Sequence, residues 1–144
     1  MVKETPDHHD AELVLKLYEL RRESVMRQSR STMMAFLPRT WEDIVAILAP
    51  THPDNAAWRQ VSSYWEMVYS FARHGVVHPD FLIENNAEGL FLFAKVRPHL
   101  ERFRKEYSPS AFRNAEWIAT QCETGRQRLS MIQTRVAKMM EAAK

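Results

Sequence analysis

Large apolar side chains recur at intervals of three and four residues through the middle of the chain. The stripe comprises Trp58, Val61, Trp65, Val68 and Ala72, with Tyr64 and Phe71 at its edges. This spacing is the apolar face of an α-helix and does not fit the two-residue alternation of a strand. Because aromatic rings bury more area than other side chains, we expect this helix at the centre of the core.

Similar stripes predict a first and a last helix. The first should begin at Thr5-Pro6-Asp7, where a capping hydroxyl, a proline and an acidic residue follow one another, and run to about Arg30. Its apolar positions are Leu13, Leu17 and Leu20, beside Val14, Tyr18 and Val25. The last helix places Leu129, Ile132, Val136 and Met139 on one face and Arg128, Arg135 and Lys138 elsewhere. Both helices therefore carry an apolar face that must be covered.

Proline, glycine and capping residues predict where the other helices begin and end. Residues 40–43 (Thr-Trp-Glu-Asp) match the capping box and open a short helix that Pro50 closes. Gly75 stands where a left-handed C-cap residue belongs, and Pro79 opens a second short helix. Pro98 falls inside the next helical pattern, so it should kink that helix or split it in two.

The last two boundaries are predicted at Ser108-Pro109 and at Thr124-Gly125. The helix between them carries Phe112, Ala115, Ile118 and Cys122 on its apolar side. The chain has only three glycines, many helix-forming residues and no alternating strand pattern. The predicted fold class is all-α: a single-domain helical bundle over residues 1–144, with about five main helices and two short ones.

Composition places the chain among soluble proteins. Of its 144 residues, 45% are apolar and 26% are charged, the balance of a globular domain. The polar N-terminus predicts no signal peptide, and no apolar run approaches the about 18 residues that span a bilayer. Cys122 is the single cysteine, which excludes an internal disulfide. We therefore expect a cytoplasmic protein without membrane insertion.

Charge is distributed unevenly along the chain. The net charge is +2, but residues 1–72 carry 8 basic and 10 acidic groups, whereas residues 73–144 carry 12 and 8. The basic groups of the later helices are Lys95, Arg97, Arg102, Arg104, Lys105, Arg113, Arg126, Arg128, Arg135 and Lys138. They could follow a phosphate backbone, but glutamates four residues away neutralise much of this charge. Weak nucleic-acid binding through the basic C-terminal half is therefore only a second alternative.

Residues 63–82 (Ser-Tyr-Trp-Glu-Met-Val-Tyr-Ser-Phe-Ala-Arg-His-Gly-Val-Val-His-Pro-Asp-Phe-Leu) resemble the core motif of small, uncharacterised bacterial helical domains, a family of unknown function. Residues 113–118 (Arg-Asn-Ala-Glu-Trp-Ile) are similar to a later helix of that family. The motif positions by this resemblance are Glu66, Gly75, Asp80 and Glu116. The resemblance covers about a third of the chain. It implies an all-helical fold and no particular activity.

Four polar residues near the end of the central helix form the candidate ligand-binding set: Glu66, His74, His78 and Asp80. The two histidines frame the glycine turn, and with Asp80 and Glu84 nearby they could form a site of nitrogen and oxygen ligands. A histidine at a helix C-terminus is also stabilised by the helix dipole, which is the more common reason for its presence there.

Glu66 is the polar residue whose role depends most on the packing. It shares a helix face with Arg59, Ser62, Tyr69, Ser70 and Arg73. By default this face is exposed. If a second helix covers it, the buried carboxylate needs an arginine or several hydrogen-bond donors. A general-base role would need a cleft and a partner acid, and the sequence shows neither.

Other chemistry is not favoured. His8-His9-Asp10 could bind a metal, but adjacent residues on a helix point about 100° apart. This geometry is poor for chelation, so a solvated first turn is expected. Cys122 lies on an apolar helix face, as a small buried residue does. Phosphate loops, paired-cysteine spacings and nucleophile elbows do not occur. We therefore predict no catalytic residue, no metal and no cofactor.

The lack of a catalytic constellation, with abundant aromatic and methionine side chains, favours a non-enzymatic helical module for protein–protein interaction or scaffolding. The first alternative is an enzyme or small-ligand binder with a polar pocket near Glu66, His74 and Asp80. A homodimer is expected, because the apolar faces of the first and last helices exceed what a soluble monomer usually exposes. The competing possibility is that these two helices cover each other within one chain.

Overall fold

The computed structural model of the chain describes residues 3–144, and within that range the fold is all-α without strands, as the sequence predicts. The α-helices of this range are α1 (His8–Arg21), α2 (Ser24–Ala35), α3 (Trp41–Leu48), α4 (Asn55–Arg73), α5 (Pro79–Asn85), α6 (Gly89–Val96), α7 (Leu100–Glu106), α8 (Arg113–Gln121) and α9 (Glu123–Ala142). A 3-10 helix, Arg97–His99, joins α6 to α7. The helices are more numerous than the pattern indicates, because long segments are interrupted.

Helix α4 forms the centre of the core, as its apolar stripe predicts. Trp65 is 4% exposed, and its ring lies 5.8 Å from the ring of Tyr69 and 5.0 Å from that of Tyr64. The helix packs against both α2 and α8. Tyr69, expected on an exposed face, is fully buried, and its hydroxyl donates to the carbonyl oxygen of Asn86 at 2.8 Å. The connection from α5 to α6 therefore covers part of the face that carries Glu66.

The first predicted helix is in fact two helices. Helix α1 has Asp7 as its N-cap and ends at Arg21, instead of continuing to about Arg30. The carboxylate of Glu23 accepts hydrogen bonds from two backbone N–H groups of the next turn, both at 2.9 Å. It thereby caps α2, so the chain turns at a place where the apolar periodicity alone continues.

Gly75 and Pro98 act as predicted. Gly75 has a φ of 75°, and the N–H of Val76 donates to the carbonyl oxygen of Phe71 at 2.8 Å, which completes a Schellman motif at the end of α4. Pro98 lies in the 3-10 helix that separates α6 from α7. The capping box of residues 40–43 is also present at the start of α3.

Two further predicted boundaries are wrong. Helix α8 begins at Arg113 rather than at Ser108-Pro109, and the residue before it, Phe112, has a left-handed backbone conformation with a φ of 58°. The break before the last helix lies at Cys122, and Gly125 is inside the first turn of α9. Glycine fits this position because a side chain would collide with the backbone of α8, and not because the chain turns there.

The apolar face of α9 is covered within the chain. Leu129, Ile132 and Val136 are buried, and the helix packs against α5, α6 and α8. Helix α1 packs mainly against α5 and α2, where Leu17 is buried while Leu20 stays exposed. The two terminal helices are therefore covered by other elements rather than mainly by each other.

Candidate functional site

Charged side chains of this fold bind the ends of neighbouring helices. The clearest case is Glu66 on α4, whose carboxylate oxygens accept from the backbone N–H groups of Asn114 at 3.0 Å and Ala115 at 2.8 Å. Both donors belong to the first turn of α8, and the N-cap residue Phe112 provides no side-chain acceptor for them. Glu66 therefore caps α8 from another helix and faces the positive end of its dipole.

Burial and hydrogen bonding act in opposite directions on the pKa of Glu66. Burial raises the pKa of the Glu66 carboxyl group, whereas the two N–H donors and the nearby charges of Arg104 and Arg73 lower this pKa. The amide of Asn114 adds a second link to α4 by donating to the carbonyl oxygen of Glu66 at 3.2 Å. A covered Glu66 was predicted to need an arginine or several donors, and the donors are main-chain N–H groups.

Asp80 makes a similar contact with α9. Its Oδ1 accepts from Sγ of Cys122 at 3.0 Å and from the backbone N–H of Thr124 at 3.3 Å. The thiol's hydrogen bond lowers the pKa of Asp80. Burial raises the pKa of the Cys122 thiol to about 11, and the neighbouring carboxylate acts in the same direction. Cys122 therefore stays protonated at neutral pH, which is the state of a structural thiol and not of a nucleophile.

The two histidines occupy different environments. His78 is the N-cap of α5: its Nδ1 accepts from the N–H of Phe81 at 3.2 Å, and its own N–H donates to Asp10 at 3.2 Å. His74 ends α4 and is exposed. Glu66 thus contacts α8, Asp80 contacts the start of α9, and His78 contacts α1. The structure does not gather the four candidate residues into one ligand set.

The sequence pattern misses two buried charges. Asp10, expected in a solvated first turn, is buried and accepts from Nζ of Lys3 at 2.7 Å. Lys95, expected among surface basic groups, is 2% exposed, and its Nζ donates to the carbonyl oxygens of Met33 at 3.0 Å and Met34 at 2.9 Å. Burial lowers the pKa of Lys95 to about 8. These carbonyls lie at the end of α2, so Lys95 stabilises a helix C-terminus that local sequence does not cap.

Replacing Glu66 by alanine should destabilise the protein by about 1–2 kcal/mol, because the first turn of α8 loses its cap and two N–H groups lose their acceptor. Glu84, exposed on α5, is the matched control, and Glu84→Ala should change the free energy of unfolding by less than about 0.5 kcal/mol. Urea titration of both variants measures the difference. Equal and small effects would show that Glu66 contributes no cap.

A groove of about 190 Å³ lies beside Glu66. Its other lining residues are Trp58, Ser62, Ser63, Phe103, Ala111 and Phe112. Both serine hydroxyls donate to carbonyl oxygens of their own helix at 2.6 Å, and the carboxylate is engaged with α8. Neither His74 nor Asp80 lines the groove. Its walls are therefore largely aromatic, and its polar groups are already bonded within the protein.

A second groove, of about 240 Å³, lies between the end of α2, the start of α6 and the middle of α9. Its apolar lining consists of Met34, Ala87, Phe91, Met131 and Ile132, and its charged lining of Glu88, Arg128 and Arg135. Arg30 donates two hydrogen bonds to the carboxylate of Glu88, at 2.7 and 2.9 Å, and balances its charge. The two arginines of α9 therefore make the rim of this groove positive.

Arg128, Met131 and Arg135 follow one another at i, i+3 and i+7 along α9, and we call these three residues the basic stripe. Neither arginine forms an ion pair within the described part of the chain. By contrast, Lys95 is buried, and Arg104 forms an ion pair with Glu116 of α8 at 3.1 Å. The groove on α9 with its basic stripe is the candidate functional site.

Residues 3–144 contain neither a membrane-spanning helix nor a cluster of possible metal ligands. In that range no helix combines the length and the apolar character that crossing a bilayer requires. Over the same residues, no three histidine, cysteine, aspartate or glutamate side chains come together as a possible metal site. The rings of His8 and His9 lie 4.1 Å apart at the exposed start of α1.

Comparison with known proteins identifies a family. No curated protein matches the chain, and no solved structure does. The family match spans residues 6–122, which extends far beyond the segments 63–82 and 113–118 that carry the resemblance, and it ends just before α9. The chain belongs to the family described as Domain of unknown function (DUF4760).

Proposed function

We propose that the protein is a non-enzymatic helical interaction module of the bacterial cytoplasm that pairs with a second copy of itself as a homodimer. The observation that carries the proposal is the apolar groove on α9, rimmed by two arginines without an ion-pair partner in the described residues. Methionine and arginine are enriched at protein interfaces. Methionine repacks readily against different partners, and arginine binds carboxylates in a bidentate way.

The placement of the polar residues supports an interaction role rather than catalysis. The carboxylates of Glu66 and Asp80 each bind the start of a neighbouring helix, and the thiol of Cys122 is held protonated. These groups stabilise the bundle, and the carboxylate of Glu66, which lines the groove of about 190 Å³, is already bonded to the first turn of α8. The resemblance to bacterial domains supports the bacterial setting, and a single free cysteine suits a reducing compartment.

The two alternative functions have less support from the same geometry. A small-ligand pocket formed by Glu66, His74 and Asp80 would need these side chains to converge, and they contact different elements. Nucleic-acid binding would need the basic groups of the second half on one surface. Lys95 is buried, and Arg104 is paired with a glutamate.

The wild-type protein at tens of micromolar should show twice the chain mass of 16.9 kDa by gel filtration coupled to light scattering. Met131→Asp should lower this mass towards that of the monomer, because burying a carboxylate in the apolar groove is costly. Met67, 40% exposed on α4, provides the matched control, and Met67→Asp should leave the dimer intact. A wild-type mass near 16.9 kDa would overturn the proposed function.

A further inference from the structure

The most exposed large apolar side chains of the described residues lie on the two terminal helices. Leu15 on α1 and Met131 on α9 are each 62% exposed. Both point away from the buried faces of their helices, which are centred on Leu17 and on Ile132. Each therefore presents an apolar group to solvent at the middle of an outward helix face.

Both residues are flanked by charges at identical spacing. Glu12 and Glu19 lie three residues before and four residues after Leu15, and Arg128 and Arg135 hold the same positions around Met131. Residues at these spacings share one helix face. We call Glu12, Leu15 and Glu19 the acidic stripe, which matches the basic stripe in length and opposes it in charge.

We propose that the acidic stripe of α1 in one copy packs against the basic stripe of α9 in a second copy. This inference rests on the proposed function and names the surfaces that form the dimer. On each helix the two charges are seven residues apart, or about 10.5 Å, so both ion pairs can form at once around the Leu15–Met131 contact. A two-fold axis makes the contact twice, since each copy supplies both stripes.

The charges near the acidic stripe leave its glutamates available to a second copy. Lys16 lies 3.9 Å from Glu19, and both side chains are largely exposed, so that pair is weak and can be exchanged for an arginine. The guanidinium of Arg22 lies over the ring of Tyr18, 5.1 Å from its centroid. On the other side of the contact, the groove beside Met131 offers apolar walls to Leu15. A helix face that carries two acidic side chains around an apolar one is therefore the partner that this surface fits.

Charge reversal tests the pairing. We compare wild type with Glu12→Arg/Glu19→Arg and with Arg128→Glu/Arg135→Glu, using light scattering after gel filtration and circular dichroism to verify folding. In each variant alone both stripes carry the same sign, so the dimer dissociation constant should rise more than about tenfold. In an equimolar mixture every stripe of one variant faces an opposite stripe of the other. The mixture should regain the dimer mass as a heterodimer.

The outcomes separate this inference from the proposed function. A monomeric wild type overturns both. A wild-type dimer that both variants retain overturns only the pairing of the stripes, because self-association then uses another surface. Two monomeric variants that fail to combine also overturn the pairing, since their disruption is then not specific to complementary charge. Monomeric variants that dimerise only when mixed support it.

Discussion

Replacing Trp65 by alanine is expected to lower the free energy of unfolding by about 3–5 kcal/mol, a large part of the stability of a typical small domain. The side chain is 4% exposed and lies on the central helix where α2 and α6 meet, near Met33 and Leu92. These neighbours belong to separate helices whose own positions are fixed by other contacts. They can close only part of the cavity, so the loss includes both burial and packing.

Urea titration followed by circular dichroism measures this loss, provided that the slope of the transition stays unchanged. Met67→Ala on the same helix is the control, since Met67 is 40% exposed and its replacement should cost less than about 0.5 kcal/mol. If Trp65→Ala costs less than about 1 kcal/mol, α4 is not the centre of the core. Failure of the variant to fold at all would agree with the prediction.

The sequence predicts those parts of the fold that depend on local signals. The apolar stripe through Trp65 identifies α4 because a regular spacing of large side chains has one helical interpretation. Gly75 and Pro98 mark their boundaries because each changes what the backbone can do at its own position. The capping box at residues 40–43 is local in the same sense, since its donors and acceptors lie within one turn.

Boundaries that depend on other helices are not predictable in this way. The break at Glu23 is missed for a different reason, since its carboxylate caps the next turn locally while the apolar pattern continues through it. A helix start at Ser108-Pro109 is a reasonable local expectation, yet α8 begins only where the carboxylate of Glu66 can receive its first N–H groups. That carboxylate is 48 residues away in sequence from Asn114.

Contacts between residues far apart in sequence also explain the roles of the candidate ligand-binding residues. The sequence singles out Glu66 and Asp80 as motif positions of a helical family and as candidate ligand-binding residues. The structure gives a physical reason for both: each carboxylate binds the first turn of a different helix. Lys95 and Asp10 gave no such signal, because a charge next to an apolar stripe usually faces solvent. The polar residues that suggest a binding site from the sequence therefore mostly stabilise the ends of helices.

Gly125→Ala is the second substitution with a large expected effect. Whether it raises or lowers the free energy of unfolding tests how closely α8 and α9 pack. Gly125 lies in the first turn of α9, where the helix crosses the end of α8. A Cβ atom at this position would lie 1.8 Å from the carbonyl oxygen and 2.8 Å from the carbonyl carbon of Ile118. Because these are backbone atoms, no rotamer change relieves the overlap. Helices α8 and α9 would have to move apart, which loosens the packing of the buried Leu129.

Alanine in an open helical position is about 1 kcal/mol more favourable than glycine, so a site without this contact would gain stability. At Gly125 we expect instead a loss of about 3 kcal/mol, the upper range for overpacking. Ser130→Ala, at an exposed position of the same helix, is the control and should be neutral or slightly stabilising. Urea titrations of the two variants should therefore shift in opposite directions or differ widely. A stabilising Gly125→Ala would mean that α8 and α9 do not cross closely. It would also contradict the position of the basic stripe relative to the rest of the bundle.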